Sequence, residues 1–216
     1  MGKLKDHTAE ADEGRSARKR RAIVEAATAL FLKDGFLGTN MDAVAARAQV
    51  SKQTVYKHFS DKETLFVAIV TGLTNAGSDA VHGAMPRLAE GGDVAAYLLA
   101  YAMRQLEIVL TPRLLQLRRM VIGEVARFPE LGRSLFDAGP RRAMAAFAEA
   151  LRDLAARGVL AIDDPRAAAA DFNWMVMGAP LNEAMLLGDE AIPGRARLRK
   201  HAEHSVRLFL AAYRKR

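Results

Sequence analysis

The 216-residue sequence contains no cysteine. That excludes a disulfide framework, a thiolate nucleophile and any cysteine-based metal site. Aromatic residues make up only 6% of the chain. No uninterrupted apolar run approaches the roughly 20 residues needed to cross a bilayer. The opening segment, MGKLKDHTAEADEGRSARKRR, has no apolar stretch of the kind a secretory signal carries. A soluble, cytoplasmic protein with no membrane partner is the expectation. GxSxG, the phosphate-binding P-loop, HExxH and GxGxxG are all missing, so no enzyme activity and no cofactor are expected. His201 and His204 flank Glu203, but no third ligand accompanies them in sequence and the spacing is common. They read as a polar helix face, with no metal.

Half of the residues are apolar, and the chain is rich in Ala and Leu, a composition that favours helix. The net charge of +7 is unevenly placed. Residues 1–14 hold two Lys against four acids, and residues 63–216 hold twenty Lys/Arg against seventeen acids. Residues 15–62 hold ten Lys/Arg against four acids. A localised basic segment suits an anionic partner such as nucleic acid, and equally a solvated charged surface.

Residues 1–14 are polar and aperiodic and read as a disordered tail. A first helix is expected at about 16–34, with Ile23, Ala27, Leu30 and Phe31 on one stripe and Gly35 ending it. Thr39 offers an N-cap for a second, short helix carrying Met41, Val44, Ala45 and Ala48. Ser51 offers the next cap, for a helix running to about His58. Ser60 and Glu63 form a capping box for a fourth helix. Two short helices joined by a very short turn outline a helix-turn-helix over about 41–60. Ile23, Leu30, Phe31, Val44, Val55 and Phe59 would centre a core too small to be stable alone.

The third helix decides what such a unit could do. Val55 and Phe59, at i and i+4, face inward. What remains is Ser51, Lys52, Gln53, Thr54, Tyr56, Lys57 and His58, a surface made almost wholly of hydrogen-bonding groups. A helix entering a DNA major groove needs such a surface, some of it reaching base edges and some gripping phosphate. Gln53 and Thr54 are short enough for base edges; Tyr56 and His58 suit backbone oxygens. For Thr39 and Ser51, capping and phosphate contact are both open readings.

The stretch IVEAATALFLKDGFLGTNMDAVAARAQVSKQTVYKHFSDKETLF resembles the DNA-binding domain of the TetR/AcrR transcriptional regulators. Ile23, Ala26-Ala27, Leu30-Phe31, Gly35, Thr39, Val44-Ala45, Ala48, Val50-Ser51, Val55-Tyr56, His58-Phe59 and Lys62-Glu63 carry the match. The resemblance implies phosphate contacts from Thr39 and Lys62, base reading and phosphate gripping by Lys52, Gln53 and Thr54, and a backbone clamp from Tyr56 and His58. It also implies a homodimer that binds a double-stranded operator and responds to an apolar small-molecule effector, usually as a repressor. Gln49 departs from the pattern, which has Gly in the turn, where a positive φ is easily met.

The remainder is expected to be all-α as well, giving nine or ten helices in total. Residues 15–75 would form the DNA-binding domain and 76–216 the effector and dimerisation domain. LRRMVIGEVARFPELGRSLFDAGPRRAMAAFAEAL and LAARGVLAIDDPRAAAADFNWMVMGAP resemble the AefR-like type of C-terminal domain. Tyr101, Met120, Phe147, Phe172 and Met175 are candidates for a ligand pocket, with ordinary core as the alternative. Arg118, Arg119, Glu124, Asp171, Asn173 and Glu183 could orient a polar ligand or face solvent. The resemblance places the dimer interface on the last two helices, at about 165–187 and 194–213. Ala170, Trp174 and Gly178 form a stripe on the first of these, and Val206, Phe209 and Leu210 lie on the second. Pro180 is expected to kink its helix. The competing reading is a helical small-molecule-binding protein or enzyme with an incidental basic N-terminus.

Overall fold

The computed structural model of the chain describes residues 3–83 and 87–213, with the side chains of 14–81, 83 and 87–213. Among the described residues ten α-helices follow one another: α1 Lys3–Gly38, α2 Met41–Arg47, α3 Lys52–His58, α4 Lys62–His82, α5 Val94–Val109, α6 Pro112–Glu124, α7 Pro129–Phe136, α8 Arg142–Ala156, α9 Pro165–Leu187 and α10 Arg195–Tyr213. No strand occurs among the described residues. The all-α expectation holds. Of the segment expected to be a disordered tail, residues 1 and 2 lie outside the described residues, and from Lys3 the backbone is helical and continuous with α1.

Several boundaries differ from the sequence reading. Gly35 does break the first helix, at φ 74 and ψ 176. The break turns Phe36 inward, where it stacks on Phe31 at 5.9 Å and meets Phe66 at 5.2 Å. The cap of α2 is Asn40, whose side chain accepts from the Ala43 amide at 2.8 Å, rather than Thr39. The cap of α4 is Asp61, accepting from the Thr64 amide, rather than Ser60. α6 stops at Glu124, and Pro129 opens α7 as its first residue, the position at which a missing N–H costs nothing. Gly139-Pro140 lies inside a π-helical turn, Asp137–Arg141, that joins α7 to α8.

Two buried clusters hold the fold. The N-terminal one contains Ile23, Phe31, Phe36, Val44, Val55, Phe59, Phe66 and Ile69; Leu30, expected at its centre, is only partly buried. Leu117 and Val121 of α6 and Leu131 of α7 belong to the same cluster. The short helices therefore do recruit material from far along the chain. The C-terminal cluster is threaded by aromatic rings: Tyr101 on Phe147 at 4.1 Å, Phe147 to Phe172 and Phe172 to Phe209 at 5.0 Å each, and Phe209 to Tyr213 at 4.7 Å. Phe172 is fully buried, and truncation to Ala would cost about 3–5 kcal/mol.

α4 runs between the clusters, with Leu65, Phe66, Ile69 and Val70 in one and Val81 in the other. By length and composition it is apolar enough to cross a membrane. Burial of those residues inside the fold accounts for that composition.

Pro180 sits inside α9. It has no N–H to give to the carbonyl of Val176, four residues back. His201 of α10 fills that role: its Nε2 lies 2.9 Å from the Val176 oxygen. Because a carbonyl only accepts, Nε2 carries the hydrogen. Ser205, one turn on, donates to the carbonyls of Met175 and His201 at 3.1 Å each. These contacts tie the last two helices together, and they assign His201 a structural task.

Candidate nucleic-acid interface and effector cavity

The turn between α2 and α3 is built by backbone bonds. The amide of Gln49 donates to Ala46 and that of Val50 to Ala45, at 3.2 and 3.1 Å. This is the paired closure that ends helices through a left-handed residue. Gln49 supplies that residue with φ 54, and it is the one non-glycine with positive φ among the described residues. The departure from Gly therefore leaves the turn's shape intact and places strain on it instead.

Ser51 caps α3, accepting from the Thr54 amide at 3.1 Å; its hydroxyl also lies 2.9 Å from that of Thr54. Val55 and Phe59 are buried, which turns Lys52, Gln53, Tyr56 and Lys57 outward and leaves Thr54 and His58 at the margin. Gln53, Thr54, Tyr56 and Lys57 line one shallow groove. The Lys52 ammonium is 2.8 Å from Asp42 of α2, an exposed pair of little energetic weight that phosphate could displace. His58 has its pKa lowered, first by burial and then by Lys57, Arg20 and Lys19. Arg20 lies over the Phe59 ring at 5.0 Å, which brings α1 cations alongside the end of α3.

Two residues expected at phosphate are turned to partners inside the chain. Thr39 is buried, and its hydroxyl donates to the Gly35 carbonyl at 2.9 Å. The hydroxyl is spent on satisfying the broken end of α1; Asn40, beside it, is exposed. Lys62 is directed inward, donating to the carbonyls of Phe36 and Thr39 at 2.9 and 3.0 Å, with its ammonium 4.5 Å from the centre of the Phe36 ring. The carbonyls left without donors at the kink and before α2 draw the cation in. Asn40 and Arg20 were the residues sequence reasoning missed; Asn beside Thr at a helix start was the available signal for the first.

A second feature lies where α4, α5, α6, α9 and the π-helical turn meet. It is a cavity of about 90 Å³ lined by Thr74, Gly77 and Ser78 of α4, Gln105 and Val109 of α5, and Leu114, Leu117 and Arg118 of α6. Gly139, Pro140 and Ala143 close it on one side, and Asn173, Trp174, Met177 and Leu181 of α9 on another. Small residues make the space. A Cβ on Gly139 would stand 2.9 Å from Thr74 Cγ2. The Gln105 side-chain amide donates to Asn173 Oδ1 at 2.7 Å.

Residues 23–69 match the family model described as bacterial regulatory proteins, tetR family, and residues 96–215 match that of the AefR-like transcriptional repressor C-terminal domain. The second match alone spans more than half of the chain. The chain belongs to the TetR family. A crystal structure of a TetR-family transcriptional regulator from Mesorhizobium loti MAFF303099 is 39% identical, covers 93% of this chain and 99% of that one, and superposes with a TM-score of 0.87. The flavonoid-responsive regulator FrrA is 30% identical over 93% of this chain and 99% of its own, with a TM-score of 0.75. Among curated relatives, the HTH-type transcriptional regulator YhgD of Bacillus subtilis (strain 168) is 45% identical over 58 residues, 27% of this chain and 30% of YhgD. The HTH-type transcriptional activator FasR of Mycolicibacterium smegmatis is 38% identical over 52 residues, 24% of each chain. The matches to these curated relatives thus span under a third of their length.

In this TetR-family chain the five residues expected to line a pocket are packed elsewhere than around this cavity. Tyr101, Phe147 and Phe172 stack against one another and leave no room between them. Met175 packs against the same cluster, and Met120 packs against the N-terminal core. None of the five lines the cavity. Large rings fill space; the cavity forms one helical face away, where Gly77, Ser78, Gly139 and Ala143 stand among the larger side chains. Of the polar candidates, Arg118 and Asn173 do line it. Arg119 instead bonds the Ala184 carbonyl and Asp189, Asp171 accepts from Tyr213, and Glu183 pairs with Arg197.

The expected dimer stripe is also split. Trp174 and Gly178 are exposed on α9 and Ala170 is partly so. On α10, Val206 and Phe209 are buried in the chain's own core and Leu210 is packed against it. Phe209 is the ring on which Phe172 closes, so it is not free for a partner. Leu208, 49% exposed, occupies the outward position.

Proposed function

We propose that this TetR-family protein is a sequence-specific regulator, most simply a repressor, that binds a palindromic double-stranded operator as a homodimer and is released by a small molecule held in its C-terminal half. Residues 15–75 form the DNA-binding part and 76–216 the effector and dimer part, with residues 1–14 as an appendage to the first. The observation that carries this reading is the sidedness of α3: Val55 and Phe59 are buried, and Gln53, Thr54, Tyr56 and Lys57 form a continuous open surface. Gln53 and Thr54 are assigned to base edges, and Ser51, Lys52, Tyr56, Lys57 and His58 to the backbone. Thr39 and Lys62 support that surface from behind, holding α2 and α4 in register with the end of α1.

One short helix reads half a site, and a two-fold dimer places two at multiples of a helical turn along the duplex. Ala170, Trp174 and Gly178 of α9 with Leu208 of α10 offer a face for the partner. Leu186 and Leu187 are 75% and 69% exposed at the end of α9, and extend it. The effector would occupy the cavity. α4 supports that assignment, because Thr74, Gly77 and Ser78 line the cavity while Leu65 to Val70 anchor the DNA-binding part. At about 90 Å³ the cavity is well below the roughly 300 Å³ of ordinary ligand sites. A ligand therefore binds by moving a wall, and a moved α4 changes the spacing of the two recognition helices. Derepression extends only as far as the ligand's affinities for the two states differ. FrrA is a flavonoid-responsive regulator by name, which supports an apolar small molecule as the effector class.

The test is a mobility shift with duplexes from the chain's own upstream region, with and without Tyr56→Ala. Loss of the complex in the variant at unchanged helicity is the expected result. Absence of any duplex binding by the native protein at low salt would refute the reading.

A further inference from the structure

Arg118 is an unusual wall for an apolar cavity. It is only partly exposed, and it makes no hydrogen bond or ion pair with the described residues, in contrast to its neighbour. Arg119 has taken Asp189 at 2.7 Å and the Ala184 carbonyl at 3.0 Å, and Gln116 holds the other oxygen of Asp189. Burial alone lowers the Arg118 pKa, with no carboxylate acting on it. A guanidinium nevertheless stays charged at neutral pH, and its partial burial among apolar side chains costs hydration that a bound anion would offset. Around it the lining is mainly Leu, Val, Met and Trp.

A second polar group in the same wall is also incomplete. Gln105 is 4% exposed and its amide nitrogen is used on Asn173, but its Oε1 accepts from nothing. Buried acceptors of this kind are ordinarily paired. The cavity wall thus contains one cation without a counter-ion among the described residues and, just beneath its surface, one acceptor without a donor, among apolar side chains and the polar Thr74, Ser78 and Asn173.

We infer that the effector is an amphipathic organic anion: an apolar body with one carboxylate or similarly acidic group for Arg118 and a hydroxyl or N–H that donates to Gln105. A carboxylate takes two parallel, charge-assisted N–H bonds from one guanidinium, roughly twice as strong as those to a neutral acceptor. This rests on the reading of the cavity as the effector site. It adds the sign of the ligand's charge and the residue that selects it. The Gly139-Pro140 turn, in a π-helical segment, is the wall that yields to a body larger than the cavity.

The experiment uses the full chain and a panel of aryl and alkyl carboxylic acids, each paired with its methyl ester, read by thermal shift and by titration calorimetry. Acids of the panel are expected to bind, with each ester at least tenfold weaker. Arg118→Met keeps the length and apolar stem of the side chain and should abolish that preference, with acid and ester binding alike. Without ligand, Arg118→Met should melt at or above the temperature of the native protein, because a partly desolvated charge has been removed. Gln105→Leu should weaken hydroxylated acids more than their unsubstituted counterparts. Esters binding as well as acids, an unchanged preference in Arg118→Met, or a lower melting temperature in that variant would each overturn the inference. If esters and acids bind equally and both release DNA, the cavity reading stands and the charge assignment falls. If no acid or ester binds, both fall.

Discussion

Substituting His201 by Ala removes the donor that serves the Val176 carbonyl. Val176 is fully buried, and the next helical donor is the nitrogen of Pro180, which has no hydrogen. The carbonyl is then left without a partner, at a cost of about 1–3 kcal/mol, with a further contribution of up to ~1 kcal/mol from lost imidazole packing. If the missing proline N–H is the reason for His201, the cost must vanish when that N–H is returned. Pro180→Ala restores it, because Ala at a helical position donates four residues back. In that background His201→Ala should cost only the packing share. The four proteins of the cycle should therefore show a coupling of about 1–2 kcal/mol, well outside the ~0.5 kcal/mol scatter of independent sites. Urea unfolding at one fixed protein concentration measures it, because dimer formation would otherwise enter the comparison. Additive costs would refute the reasoning and make the 2.9 Å contact incidental.

Gln49→Gly should stabilise the protein by about 0.5–1 kcal/mol, since relief of a left-handed φ is worth ~1–2 kcal/mol and glycine's extra unfolded-state freedom removes part of it; a lower melting temperature would contradict the strain. Gly139→Ala should destabilise by about 1–3 kcal/mol through overpacking against Thr74, and Thr74→Ser, which deletes the methyl in the way, should recover most of that in a thermal melt. His58 titrates below its ordinary value in the free protein, so its contribution to stability is complete above about pH 6.5 and declines as the pH falls below it. Duplex phosphates would offset Lys57, Arg20 and Lys19 and raise that pKa, so DNA affinity should increase from pH 7.5 to 6 with uptake of a proton. His58→Gln should flatten the profile in fluorescence anisotropy at constant salt.

The all-α architecture and the outward face of α3 were legible in the sequence because both follow from spacing: Val55 and Phe59 one turn apart leave no alternative to the open residues between them. Gln49 was legible as a departure, and the structure turned the departure into a dihedral angle. What spacing does not carry is direction within a crowded neighbourhood. Thr39 and Lys62 are polar, sit at helix starts and point inward, because the kink at Gly35 leaves carbonyls that need donors. The cavity was missed for a related reason. Aromatic and Met residues are conspicuous in sequence, but Tyr101, Phe147 and Phe172 fill space, whereas Gly77, Ser78, Gly139 and Ala143 create it and are unremarkable as letters.

Leu117, Val121 and Leu131 sit in the N-terminal core although they lie more than forty residues past Lys62–Val70, the part of α4 that closes it. DNA reading and effector sensing are consequently not interchangeable cassettes in this chain. A hybrid joined after residue 75 would give the headpiece three foreign side chains in its hydrophobic interior. An operator specificity moved between relatives on such a junction carries a packing defect with it, and the graft that avoids one must exchange the matching face of α6 and α7 as well.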